Sequence, residues 1–581
     1  MSNRLIAVLC VLAVPAFGDE GLWLFNQFPK DQVHEKYQFD VSDQFLDHLR
    51  LSSMRVGAGE GAFVSASGLV LTTYTAAAAC AADHPDGFYA ATRDAEVRCP
   101  GLDAEVLVSL EDVTRQVKEG VREGAKAAEA LEKRNAAIAR IEKACSDKTG
   151  DHCTVVRLYS GERYDLYGYK LYTDLRLVFA PDAAAARFGG DAALSTFQRY
   201  NFDLAFLRAY ENGKPADTPH YLKWSRDAIQ DNELIFMSGR PSATSRQSTV
   251  ARLTFQRDTA LPLQIARLRT RIEALRGMSP QTPAAQRLLS ELGSAYKTAA
   301  GHLIGLKDER LMARKDNFEK KLRLAVTHDP KLGAEGAKVW DEVATAYKNW
   351  TPFEKPFEVL VRPGAIGTGP SAGGDQAVET AMRDVYTQEL KALGEKTPPQ
   401  EAAAKLQRKY NETVGALEVS GAERIAQYRY RLFGPKEYPE GTGTPRVLYG
   451  VAKGYRDRTE APVLYATTFG GLFHLAGEQQ PFHLPKRWTD GKPNLDPLTP
   501  YNFVSTCDVA GGATGPAVNR NGELVGLGFD GNIESLALAY LYGEEGARAV
   551  YVAATGAAEA LRKLYHTPAL LRELGLDATP Q

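Results

Sequence analysis

The sequence predicts a mainly β protein carrying an α-helical insertion. Two observations carry that expectation: the residue patterning changes from strand to helix near residue 254, and back to strand near residue 435. From Asp19 to about Leu253, short runs rich in β-branched and aromatic residues alternate with turns. Ala62-Phe63-Val64 and then Gly68 to Thr72 read as strand, turn, strand. Val155 to Tyr159, the turn Ser160-Gly161 and Arg163 to Tyr172 read as a hairpin, and Asp174 to Ala180 as a further strand. One helix interrupts this region, because Val113, Val117, Val121 and Ala125 recur every fourth residue and a charged stretch continues to about Ala144.

From about Thr254 to Gly434 the periodicity is helical. Leu263, Ile265, Leu268, Ile272 and Leu275 recur at helical spacing, as do Leu288, Leu289, Leu292 and Tyr296, and later Val385, Leu390 and Leu393. Segment 362–374 is rich in glycine and proline and reads as a connection between helices. It lacks the Lys-Ser/Thr ending and the preceding strand of a phosphate-binding loop. Strand patterning returns in Arg446 to Val451, Val463 to Thr467, Glu523 to Phe529 and Ala549 to Val552, and a closing helix covers about Ala557 to Tyr565. The expected division is a leader at 1–18, a first β half at 19–253, a helical domain at 254–434 and a second β half at 435–581.

A chain of 581 residues is too long for one core, and 44% hydrophobic with 24% charged residues is an ordinary globular balance. The net charge of -2 leaves no basic excess for nucleic acid or for an anionic membrane. Arg4, the apolar run Leu5 to Val14 and the small residues of Ala16-Phe17-Gly18 form a secretory signal with cleavage expected before Asp19. Export to the periplasm or beyond follows, and no later stretch has the length of a membrane span. Cys80, Cys99, Cys145 and Cys153 then lie in an oxidising compartment. Their spacing is not that of a zinc site. Of three possible connectivities, the short-range pairs Cys80–Cys99 and Cys145–Cys153 are expected, with Cys507 left as a buried free thiol. No cofactor and no metal is expected.

Three segments carry a more specific signal. Glu60 to Thr72 is a strand-turn-strand entering a loop. Phe202-Asp203-Leu204 precedes an apolar strand. Thr506-Cys507-Asp508 followed by Gly511-Gly512-Ala513-Thr514-Gly515-Pro516 is a glycine loop followed by the strand ELVGLGF. Together with Asp19-Glu20-Gly21-Leu22-Trp23, Asp86 to Ala91, Glu111 to Thr114, Tyr172 to Pro181 and Phe529 to Ser535, they resemble, over nearly the whole mature chain, the S46 family of bacterial dipeptidyl-peptidases. The resemblance implies a trypsin-like double antiparallel β-barrel, a helical cap domain, peptide N-termini as ligands, and a homodimer or a heterodimer with a paralogue. The chain is shorter than typical members, and the missing residues are expected in the helical insertion.

The same resemblance implies a site and shows it altered. Asp203 stands at the carboxylate of the triad, but Thr75 stands where the family has its catalytic histidine, and Thr514 where it has its serine. One residue is missing just after Thr514. Gly512 and the amide of Thr514 occupy the oxyanion loop. The polar clamp on the peptide's ammonium is implied at Leu194 and Ser195, where the family has Asn-Trp, at Ser294 in place of Asn, and at Asp530, Gly531 and Asn532, with Gly531 at the first specificity pocket. A buried Asp530 with no cationic partner would be costly, so either an amine binds it or the site is wet; Asp530-Gly531-Asn532 reads equally as a turn closing a hairpin, and His84, nine residues after Thr75, is a displaced-base candidate. His302 and His483 have no local context for a role. Two functions follow from different classes: a non-catalytic protein retaining peptide or partner binding, and a dipeptidyl-peptidase using Thr514 with an unrecognised base.

Overall fold

A computed structural model describes residues 19–120, 127–362, 375–394 and 398–577. The expected leader, Val121 and Ala125, and residues 363–374 of the glycine- and proline-rich segment lie outside the described residues. The strand sequences form two large antiparallel sheets, of 11 and 7 strands among the described residues. The first runs through Asp174–Asp182, Ala205–Glu211, Leu69–Thr72, Gly59–Phe63, Ser53–Val56, Ala104–Asp112 and Arg163–Tyr172. The second has the order Arg446–Val451, Leu234–Gly239, Gly515–Val518, Leu524–Gly531, Ala549–Ala553, Pro500–Ser505, Ala466–Thr468.

Strand alternation explains how the two sheets meet, since successive side chains point to opposite faces. In the first sheet Val70 and Leu207 face its inner core, whereas their neighbours Leu69, Leu71 and Phe206 face away from it. In the second sheet Ile235, Met237 and Leu448 point inward, and Leu234, Phe236, Val447 and Tyr449 point away. The residues pointing away from both inner cores join in one large shared core, so the central strands are buried on both faces and read as continuous apolar runs. The architecture is the double antiparallel β structure with a helical insertion that the sequence predicts.

The hairpin is present as His152–Leu158 and Arg163–Tyr172, with Leu158 opposite Arg163. The interrupting helix is described as two pieces, Thr114–Lys118 and Ala127–Thr149, with Val113 and Val117 buried. The boundary at residue 253 differs from the sheet topology. Leu234–Gly239 pairs with Arg446–Val451, so the helical domain is inserted inside the second sheet and not between the sheets. Trp23 also bridges to Val447, tying the start of the described chain to the second sheet. Patterning identifies a strand but not its partner, which is why the boundary fell one strand late.

The helices of the insertion run from Val250 to Phe433, and no helix among the described residues is long and apolar enough to cross a membrane. The longest, Pro283–Lys307, lies directly on residues Ile533–Ala539 of the second sheet's far loop. Gly301 and Gly305, one turn apart, make that approach possible. A Cβ on Gly301 would overlap the Leu536 side chain, and one on Gly305 would overlap the Cβ of Ala537. Gly305→Val is therefore expected to destabilise the docked helix by about 1–3 kcal/mol through overpacking, read as a lowered Tm.

Both expected disulfides form, Cys80–Cys99 and Cys145–Cys153, closing loops of 19 and 8 residues in sequence separation. Cys507 is free and buried, and desolvation pushes its thiol up to about 12. Non-reducing peptide mapping should recover these two linked pairs, and Cys507 should stay unlabelled by iodoacetamide until the protein is unfolded.

Candidate active site

The register of the first sheet brings two of the triad positions together. Ala205 pairs with Thr72, so the residues just before one strand and just after the other, Asp203 and Thr75, face each other. Thr73 caps the helix Tyr74–Ala81 by accepting from the Ala76 amide, and Thr75 lies in its first turn, where backbone N–H groups have no helical partner. Asp203 takes one of these. Its Oδ1 accepts from the Thr75 amide at 3.0 Å, and its Oδ2 from the Thr75 hydroxyl at 3.2 Å. Asp203 is thus an anion at a helix N-terminus, bound by the residue that stands in the histidine's place. Burial pushes its carboxyl up to about 6, with the two Thr75 hydrogen bonds opposing the rise.

No imidazole joins this pair. His84 stacks on Phe88 with ring centroids 4.6 Å apart, and His302 Nδ1 lies 3.3 Å from the Tyr540 hydroxyl. Among the described residues no histidine hydrogen-bonds to Asp203 or to the Thr514 hydroxyl.

The second sheet supplies the glycine loop. Asp508 is fully buried and grips Arg246 through both oxygens, at 2.6 and 2.5 Å, while also accepting the Gly21 amide at 3.0 Å. Arg246 in turn donates to the Leu538 carbonyl at 2.7 Å and to the Tyr438 hydroxyl at 2.8 Å. Beyond this anchor, Gly511 has φ 66° and packs its Cα on the Ser242 backbone, where a side chain would collide with the Ser242 amide and carbonyl. The Gly512 amide donates to the Val509 carbonyl at 3.1 Å. That N–H is spent within the loop. Thr514 itself is half-buried and leads into Gly515–Val518. Glu60 of the neighbouring first-sheet strand lies against Gly515, its Cβ 3.5 Å from where a Gly515 Cβ would sit. Burial, opposed by Arg240 and Arg55, pushes the Glu60 carboxyl up to about 8.

The clamp residues divide. Asp530 does have a cation: Arg199, itself buried, donates to its Oδ2 at 2.6 Å, and the Ser195 amide donates to the same oxygen at 2.9 Å. The Arg199 guanidinium also lies over the Phe529 ring at 5.3 Å and donates to Asn201 Oδ1 at 2.7 Å. The expectation that Asp530 lacks a protein partner is thereby corrected. Asp530 and Gly531 are not a hairpin turn either; they end the strand Leu524–Gly531, opposite Val550 and Ala549. Asn532 is consumed by the fold. Its Oδ1 accepts from the Ser535 and Arg548 amides at 3.1 and 2.8 Å, and its Nδ2 donates to the Gly546 carbonyl at 2.6 Å. At Gly531 the Ser535 hydroxyl already fills the space a side chain would take. Leu194 and Ser195 are half-buried beside Asp530, and Ser294 is exposed on the helix above.

Sequence reasoning missed Arg199 and Lys297. Arg199 was findable, because a buried acid requires a cation and Arg199 lies only four residues before Asp203. Lys297 follows Ser294 by three residues, one helical turn along the same face.

Two β sheets meeting at a seam, with a carboxylate and helix start from one and a glycine loop from the other, define the frame of a trypsin-like peptidase. The family model for peptidase S46 matches residues 18–368 and 371–576, and the chain belongs to that family. It is 24% identical to the Asp/Glu-specific dipeptidyl-peptidase of Shewanella putrefaciens, covering 99% of this chain and 100% of that one. It is 23% identical to dipeptidyl-peptidase 7 of Phocaeicola vulgatus, covering 92% and 93%. The crystal structure of Porphyromonas endodontalis DPP11 in complex with substrate superposes with a TM-score of 0.81 at 18% identity, covering 96% of this chain and 100% of that one.

Two measurements check these assignments. Asp203 holds its proton more tightly folded than unfolded, where the value is about 3.9, so its contribution to stability falls as pH rises from about 4 to about 6. Asp203→Asn should remove that part of the decline and leave Tm at neutral pH no lower than in the unaltered protein. Asp508→Ala should be far more damaging, by about 3–5 kcal/mol in urea unfolding, because it leaves Arg246 buried and unpaired.

Proposed function

We propose that this chain holds a peptide, or a partner chain, at the seam between its sheets without cleaving it. The observation that supports this most is the Asp203–Thr75 pair, in which the carboxylate that would orient an imidazole is bound instead to a threonine's amide and hydroxyl. Acyl transfer at neutral pH needs a group that takes the nucleophile's proton and returns it to the leaving amine. A threonine hydroxyl has no pKa suited to that role. Thr514 is an internal residue and has no α-amine of its own to serve as base. Loss of nucleophile or base in a serine protease costs on the order of a millionfold in turnover, and here both positions are changed. The glycine loop keeps its fold through Arg246 and Asp508, so a carbonyl or carboxylate can still meet the Thr514 amide. Export through the leader peptide, in keeping with the two disulfides, and assembly as a homodimer or with a catalytically competent paralogue complete the proposal.

A second reading, slow hydrolysis by Thr514, is favoured by one observation. Glu60 lies against Gly515 with its carboxyl pushed up to about 8, in the range of a general base. No hydrogen bond joins Glu60 to the Thr514 hydroxyl among the described residues, which is why binding is preferred. Chromogenic dipeptidyl substrates separate the two. The first reading expects no release with the unaltered protein; release that is abolished by both Thr514→Ala and Glu60→Gln would establish the second.

Reversion gives a sharper check. Thr75→His alone should restore no activity, and Thr75→His with Thr514→Ser should restore at most slight cleavage, because the clamp is also altered. Robust turnover by the double variant would show that the remainder of the site is intact.

A further inference from the structure

The carbonyls of Asp191, Ala192 and Leu194 turn toward one point, and the ε-ammonium of Lys297 occupies it. Lys297 donates to the Asp191 carbonyl, and to those of Ala192 and Leu194 at 3.2 Å each. The cradle belongs to the loop before Asp203, whereas Lys297 comes from the docked helix Pro283–Lys307, so the bonds span the helical domain and the first sheet. The Asp191 carboxylate stands at the rim, fixed by the Ser290 hydroxyl at 2.9 Å. Asp530 stands behind, held by Arg199 and the Ser195 amide. Burial and the nearby Arg199 lower the Lys297 pKa, and Asp191 and Asp530 pull it back up.

Three acceptors at the corners of a small space, with two carboxylates beside them, match the chemistry of a primary ammonium. Such a group has three N–H donors to place and one positive charge to offset. Nothing in the docking of the helix requires this. Gly301 and Gly305 already seat it on Leu536 and Ala537, one and two turns further along.

We propose that the cradle is an ammonium subsite which the chain fills with its own Lys297, so that the seam refuses peptides with a free N-terminus and takes a stretch of chain without one. This rests on the reading that the seam binds peptide. An incoming α-ammonium would meet two like charges, Lys297 and Arg199, and find the three carbonyls and Asp530 already engaged. An acetylated terminus or an internal segment brings no such charge and loses nothing by the occupancy.

Chemical rescue tests it. Lys297→Ala takes the ammonium donor from all three carbonyls, leaves only that of Asp191 with a backbone partner, the Leu194 amide at 3.3 Å, and vacates the space of the ammonium. Ethylammonium should raise the Tm of that variant by about 2 °C while leaving the unaltered protein unmoved, and tetramethylammonium at equal ionic strength should move neither. Equal shifts in both proteins, or no shift in the variant, would overturn the proposal. Should Lys297→Ala not fold, Lys297→Gln keeps most of the side chain while removing its charge, and calorimetry supplies the second readout. The unaltered protein should bind an N-acetylated tetrapeptide at least as tightly as the free one, and Lys297→Gln should shift the preference toward the free amine. Roughly tenfold tighter binding of the free peptide to the unaltered protein would refute the idea. Neither readout needs cleavage, so a protein found to hydrolyse peptides would sink the proposed function alone, and an ammonium response in the unaltered protein would sink this inference alone.

Discussion

Both sheets bury both of their faces, and the shared core between them fixes where everything else can be. Leu69, Leu71 and Phe206 from one sheet meet Phe236, Val447 and Tyr449 from the other, so the sheets cannot slide without exposing that apolar surface. The seam therefore has a fixed geometry, and the loops that open onto it are held by elements rather than by one another. Asp203 and Thr75 are set by the Ala205–Thr72 register, Thr514 by the strand that starts at Gly515, and Lys297 by a helix seated through two glycines. Each piece is anchored separately, as a catalytic or binding site needs its parts to be.

What those pieces do at the seam is satisfy each other. Asp203 caps the helix that begins at Tyr74, Asp530 pairs with Arg199, the Gly512 amide returns to Val509, and three loop carbonyls close on Lys297. A polar group left bare in a partly buried seam is costly, so once the external partner is lost an internal one becomes favourable. The internal bonds satisfy these groups without any ligand.

Much of the frame was legible in the sequence because it rests on local signals. The alternation of Leu69-Val70-Leu71, the four-residue recurrence in the helical region and the Gly511–Gly515 loop each follow from short-range rules. The Asp203, Thr75 and Thr514 assignments rest instead on the resemblance to the family that these segments carry. Pairing was not. Leu234–Gly239 looks like any other apolar strand, and only its hydrogen-bond partner at Arg446–Val451 assigns it to the second sheet. Arg199 and Lys297 were missed for the same reason. Their meaning lies in partners 331 residues away in one case and about a hundred in the other, distances that no local pattern encodes. Asn532 was misread because an exposed-looking polar residue in a motif gives no sign that its whole side chain is consumed by Ser535, Arg548 and Gly546.

The fold of the glycine loop is independent of the triad positions for a specific reason. The glycine loop is anchored by Asp508 on Arg246, and Arg246 is braced by the Leu538 carbonyl and Tyr438, none of which touches Thr75, Thr514 or Asp203. A serine at position 514 or a histidine at 75 is therefore not needed to hold the loops in place. Stability and proton transfer draw on different residues here, and the second set can change while the first is kept. That separation is compatible with a chain that matches its family from residue 18 to residue 576 and pairs Asp203 with Thr75 rather than with an imidazole. The family match reports the residues that carry the fold, whereas the Thr75–Asp203 contact reports the chemistry.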